Sequence, residues 1–180
     1  MHSMLKLLLI TWFFLTPLFA DTLRKPQSFV ISSGYSPYFV KMLPSKFGRG
    51  YAVAFKLLDD ASSEELWRVG GYSLEAYLSK DGQYFIRIGP WAKGREPSKE
   101  DVAVEFFRNG ALLKSYSTAD LVKDVSKVRP TSGHYFWRAK DGNYSFLASN
   151  NFNLKTVDGI SYVFDVTTGE IIETKFGRKE

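Results

Sequence analysis

Four Asp-Gly or Asn-Gly dipeptides constrain this chain more than any other feature. Asp81-Gly82, Asn109-Gly110, Asp141-Gly142 and Asp158-Gly159 each separate two short runs rich in Val, Ile, Phe, Tyr and Leu. Such dipeptides accept the positive φ angles of tight hairpin turns, so each predicts a pair of antiparallel strands. Thr168-Gly169, inside "YVFDVTTGEII", predicts a fifth turn. The runs place strands near Phe29–Ser32, Tyr38–Leu43, Gly50–Leu58, Glu65–Val69, Ser73–Leu78 and Gln83–Gly89. Others are expected near Val102–Arg108, Ala111–Tyr116, His134–Arg138, Tyr144–Ser149, Asn153–Val157, Ser161–Val166 and Ile171–Thr174.

Strand faces narrow the architecture. In Val102–Phe107 one face reads Val, Val, Phe and the other Ala, Glu, Phe; in Gln83–Ile88 the face opposite Tyr84, Ile86 and Ile88 still carries Phe85. A sheet with apolar residues on both sides is covered on both sides, as in a sandwich or a stack of blades. One short helix is expected at "STADLVKD", where Ser117 and Asp120 form a capping box ahead of Leu121 and Val122. Pro90–Asp101, "PWAKGREPSKED", reads as a long exposed loop, and the C-terminal "KFGRKE" as a frayed end. The expectation is therefore an all-β fold, an antiparallel sandwich or incomplete propeller-like set of sheets with one short helix. The alternative is a small irregular β-propeller. Against it, the glycines at 82, 142 and 159 are spaced 60 and 17 residues apart, where propeller blades recur every ~40–50 residues.

"RIGPW", "YSTADLVKD", "SGHYFW" and "TVDGISYVFDVTTGEII" together resemble a family of uncharacterised exported bacterial β-rich proteins with propeller-blade-like hairpins. The resemblance covers most of the chain after the expected signal peptide. It implies export and a β-rich fold, and carries no activity.

The N-terminus points the same way. Lys6 precedes an apolar run from Leu7 to Leu15, which Thr16 and Pro17 break before Ala20, the expected last residue before cleavage. Residues 1–20 read as a signal peptide and 21–180 as a single β-rich domain, with no transmembrane segment once the signal is removed. Cysteine is absent, which excludes disulfides and a lipid-modified N-terminal Cys. That composition fits a bacterial periplasm or exterior better than a eukaryotic secretory route. Of the formal net charge of +5, one unit belongs to Lys6, leaving a scattered excess of +4 in the mature chain. This is too dilute for dedicated nucleic-acid binding. "RGYAVAF" nearly spells an RNA-stacking strand, but it is one residue short and lacks the flanking β-α-β pattern.

Little remains for catalysis. His134 is the sole histidine after the signal, so a zinc site would need mostly carboxylates, and no Gly-x-Ser-x-Gly accompanies a Ser-His-Asp set. "DGNYSFLASNNFN" lacks the spacing of a calcium loop, and Asn150, Asn151 and Asn153 read as turn residues. No metal, cofactor or catalytic residue is implied. Paired carboxylates such as Glu105 and Asp165 leave an envelope hydrolase as the alternative function, with a structural subunit that self-assembles through sheet edges as a third.

The aromatics are the strongest remaining functional signal. Trp91 follows Pro90 in a loop that also holds Lys93 and Arg95, where an indole can stack on a sugar or anchor a protein. His134 and Trp137, in "HYFWR", complete the candidate surface, although this pentapeptide reads as largely core with Arg138 stacked on an aromatic. The expected function is a non-enzymatic binding module of the envelope whose partner is another envelope protein or a glycan.

Overall fold

The computed structural model describes residues 25–47, 49–140 and 150–177. It is an all-β fold of antiparallel sheets with a sandwich-like stacking and one short α-helix. The first sheet is a four-stranded meander of β1 (Phe29–Ser32), β2 (Tyr38–Leu43), β3 (Tyr51–Leu57) and β4 (Ser63–Gly70). A second meander follows with β5 (Ala76–Leu78), β6 (Tyr84–Ile88), β7 (Val102–Arg108) and β8 (Ala111–Ser117). Helix α1 (Thr118–Leu121) and a 3-10 turn at Val125–Lys127 lead to a small hairpin of β9 (Arg129–Pro130) and β10 (Tyr135–Phe136). The third sheet contains β11 (Asn151–Lys155), β12 (Ser161–Asp165) and β13 (Ile171–Lys175).

The middle sheet is covered on both faces, as its strand faces foretell. Ala76, Leu78, Phe85 and Phe107 join Val40, Met42, Ala54, Trp67 and Val69 of the first sheet in one core. Ile86, Ile88, Val104 and Phe106 join Phe152, Leu154, Tyr162 and Phe164 of the third sheet in another. The period-two alternation of a strand sends neighbours such as Phe106 and Phe107 to opposite cores. Each fully buried Phe contributes about 2–3 kcal/mol. The chain is thus a stack of three sheets with the second shared between two cores.

Turns lock the stack. Among the expected hairpin turns, Asn109-Gly110 has positive φ at both residues, 47° and 82°. Asp81-Gly82, Asp158-Gly159 and Thr168-Gly169 likewise join neighbouring strands, while Asp141-Gly142, the expected strand at Tyr144–Ser149 and the expected signal peptide at residues 1–20 lie outside the described residues. Gly82 also faces the first sheet, where its carbonyl accepts from Trp67 Nε1 at 3.0 Å. Gly169 sits against the middle sheet, and a Cβ there would lie 2.5 Å from the Lys114 Cβ.

Helix α1 forms as its cap predicts. Ser117 Oγ accepts from the Asp120 N–H at 3.1 Å, and Asp120 Oδ2 accepts from the Ser117 N–H at 2.9 Å. Its last turn is docked on the third sheet, because the Tyr162 hydroxyl donates to the Leu121 carbonyl at 2.5 Å. Asp158 does more than turn the chain, accepting from the N–H groups of Lys123 and Asp124 at 2.7 and 3.0 Å.

Two expectations are corrected. Asn150, with φ of 59°, is a turn residue, but Asn151 and Asn153 are paired within β11. Alternation explains them, since Phe152 and Leu154 point into the core and leave the asparagines on the other face. Pro90–Asp101 is not a free exposed loop. Ala92 is buried, and the segment is bonded at both ends and in the middle. Among the described residues no helix is long and apolar enough to cross a membrane.

Candidate functional site

The site grows from the point where the chain leaves β6. The Gly89 N–H donates to the Ala103 carbonyl at 2.8 Å, which keeps the exit against β7. A Cβ at Gly89 would meet the Val102 carbonyl oxygen at 1.7 Å, so no larger residue fits there. Pro90 then turns the chain outward, and the next residues lie beside β10. Lys93 and His134 form an antiparallel bridge, the Tyr135 N–H donates to the Ala92 carbonyl at 3.3 Å, and the Gly94 N–H donates to the Gly133 carbonyl at 3.3 Å. A segment without strand pattern in its sequence thereby becomes a third strand-like partner to the β9–β10 hairpin.

This pairing assembles an aromatic group. The Trp91 indole and His134 imidazole have centroids 4.2 Å apart with planes at 46°. Phe136 lies 6.1 Å from Trp91 and 5.4 Å from His134, edge-on to both. Thr131 holds the far side of the histidine, with its hydroxyl 2.9 Å from Nδ1 and its N–H donating to the His134 carbonyl at 2.7 Å. Trp91 is half-buried, whereas Lys93 and Arg95 are exposed. Trp91, Lys93 and His134 are therefore brought together. Arg95 follows on the same segment but lines none of the hollows around them.

Trp137 is elsewhere. It is 5% exposed and belongs to the core between the second and third sheets, with Tyr135. Alternation along "HYFWR" splits the pentapeptide: His134 and Phe136 join Trp91, while Tyr135 and Trp137 turn inward. The Arg138 guanidinium stacks over the Trp137 ring at 5.7 Å, as expected, and grips Glu75 through bonds of 2.8 and 2.6 Å. Burial alone would raise the Glu75 carboxyl, but Arg138 and the Tyr77 hydroxyl outweigh it and hold the group below its ordinary value.

Beneath the loop, Tyr135 is the anchor. Its hydroxyl donates to Asp101 Oδ2 at 2.9 Å and lies 2.6 Å from Thr118 Oγ1. Burial pushes the phenol up to about 12, and the Asp101 carboxylate adds to that rise. Thr118 in turn accepts from the Ser98 N–H at 3.0 Å.

On one side of Trp91 opens a cleft of about 710 Å³ between the first and second sheets, which Arg49, Tyr72, Lys93 and Asp101 also line. A cavity of that size lies in the range that binds small molecules or segments of a polymer. Nothing in the sequence pointed Arg49 or Tyr72 to this cleft, Arg49 standing out only as the first residue of "RGYAVAF", because only folding brings the ends of two sheets together.

The carboxylates considered for hydrolysis have structural partners. Glu105 Oε2 accepts from Arg87 Nε at 2.8 Å and Nη2 at 2.7 Å, with both side chains largely buried. Asp165, on the third sheet, accepts from the Thr167 N–H at 2.8 Å and hydroxyl at 2.7 Å, closing the turn after β12. Among the described residues no three of His, Asp and Glu converge as metal ligands would. Compared with known families and with curated proteins, the chain matches no family model and no curated sequence.

Proposed function

We propose that the chain is an exported β domain, acting in a bacterial periplasm or exterior as a non-enzymatic binding module for an envelope protein or glycan. The observation that carries this reading is the Trp91 indole, half-buried and braced by His134 at 4.2 Å beside an open cleft. A side chain already held in place loses little conformational entropy on binding, and an indole supplies a large apolar contact area. Lys93, fixed by its backbone bridge to His134, adds a cation at the rim, and Arg95 follows on the same exposed segment. Trp137 supports from the core rather than touching a ligand. Export and kinship with exported β-rich bacterial proteins belong to the same proposal, supported by the leader-like residues 1–20 and the absence of cysteine.

Affinity capture from a native envelope extract tests it, with the mature protein compared with Trp91→Ala after circular dichroism shows both folded. The expected result is a partner held by the first and lost by the second. Equal capture by both proteins would overturn the site.

A further inference from the structure

Trp91 is a wall shared by two hollows, and a third adjoins them. The large cleft and a hollow of about 320 Å³ share Ile88, Pro90 and Trp91. That second hollow shares Phe136, Arg138, Ala139 and Lys140 with another of about 400 Å³ bounded by Arg129. The three together make a track from the loop after β2, past Trp91 and Phe136, to the β9–β10 hairpin.

The charges along this track are unbalanced in one direction. Of its acids, Glu105 is paired with Arg87, whereas Asp101, bonded to Tyr135 and the Lys93 N–H, and Glu100, bonded to Ser98, have neutral partners and keep their charge in the large cleft. Arg87 and Arg138 are engaged too, the latter with Glu75. Arg49, Lys93, Arg129 and Lys140 are left, and none of them has an ion-pair partner among the described residues. The track therefore carries an excess of cations, greatest at the β9–β10 end where Arg129 and Lys140 line a hollow without an acid, and half-buried aromatic side chains, Tyr72, Trp91 and Phe136, along its length.

Resting on the binding-module reading above, we infer that this track holds a linear carboxylated polysaccharide, a chain of uronate-containing sugars several residues long. Sugar rings present C–H faces that stack on indole and phenyl rings, and a uronate adds one carboxylate per ring or per pair of rings. That spacing suits a few separated cations interleaved with aromatics. A nucleic acid carries a phosphate at every residue and is held by a denser set of basic contacts than four separated side chains. A neutral glycan would leave the cations without a role.

Calorimetric titration of the mature protein with octameric oligogalacturonate and with a hyaluronan octasaccharide tests the inference, with malto-octaose and an eight-nucleotide single-stranded DNA as comparators. At least one uronate chain is expected to bind, the neutral chain is not, and affinity should fall by roughly ten-fold between low and physiological salt. Trp91→Ala and the exposed pair Arg129→Gln/Lys140→Gln should each weaken uronate binding by about ten-fold or more. The second variant removes no buried side chain, so it keeps the test valid if Trp91→Ala fails to fold. Binding of neither uronate chain, tighter binding of the DNA, or an unchanged affinity in Arg129→Gln/Lys140→Gln would overturn the inference. Trp91-dependent envelope capture without uronate binding would overturn this inference alone; loss of both would remove the binding-module reading as well.

Discussion

The Trp91 indole lies against the His134 imidazole at a centroid distance of 4.2 Å, although the two residues are far apart in the chain and lie in separate connecting segments. Their contact follows from the backbone bridge between Lys93 and His134, which lays the segment after β6 beside β10. The rigidity of the indole is thus a property of the pairing. His134→Ala should free the ring while leaving the core intact. In proton–nitrogen NMR spectra the Trp91 indole signal should shift and sharpen, and that of Trp67, bonded to the Gly82 carbonyl, should stay in place. An unmoved Trp91 signal would mean that the histidine does not position it.

Arg87 and Glu105 provide a test of the catalytic alternative. Their side chains are 12% and 15% exposed, so removing one charge leaves the other poorly solvated. Glu105→Gln should cost about 3 kcal/mol in urea denaturation, and Arg87→Met/Glu105→Leu should recover much of that loss. A Glu105→Gln protein as stable as the wild type would show that the pair is not structural.

Gly169 has φ of 78° and no room for a side chain, since an added Cβ would press on Lys114 and Phe106. Gly169→Ala should destabilise by about 2–3 kcal/mol, the sum of backbone strain and overpacking. Gly94, with φ of 85° and open space around it, isolates the first term, and Gly94→Ala should cost only about 1 kcal/mol. Equal melting temperatures for the two variants would contradict the packing of the β12–β13 turn on the middle sheet.

Asp120 caps α1 and pairs with Lys99. The Lys99 hydrogen bond, followed by those from Ser117, holds its carboxyl at about 2, down from an ordinary 3.8. A folded-state value below the unfolded one means that the contribution is complete above the ordinary aspartate range and is lost as pH falls toward about 2. The stability difference between wild type and Asp120→Asn should therefore be constant from neutral pH to about 5 and shrink progressively below about 4. A difference that does not change with pH would show that the carboxylate charge contributes nothing.

Much of the fold was legible before folding because it is local. Asn109-Gly110 requires a tight turn wherever it occurs between apolar runs, and the Ser117–Asp120 box specifies a helix start from four consecutive residues. Phe106 and Phe107, adjacent and both apolar, already imply a sheet covered on two sides. The site was legible in part. Trp91 and Lys93 stand out by their neighbours in sequence, but "HYFWR" shows five attractive side chains without saying which end of the alternation faces outward. Tyr72, Arg129 and Lys140 gave no signal, being ordinary residues in their own segments, and Arg49 stood out only in "RGYAVAF", a motif unrelated to the cleft.

The sequence by itself determined the all-β class, most of the strand order and turns, and the capped helix, since each depends on backbone preferences and alternation within a dozen residues. Only the tertiary structure decided that Pro90–Asp101 is a bound segment, that His134 rather than Trp137 braces Trp91, and that cations from separate segments line one track. Those outcomes depend on pairing between distant segments and on how sheets stack, where burial energy is gained by whole faces at once and no short stretch of sequence records the partner.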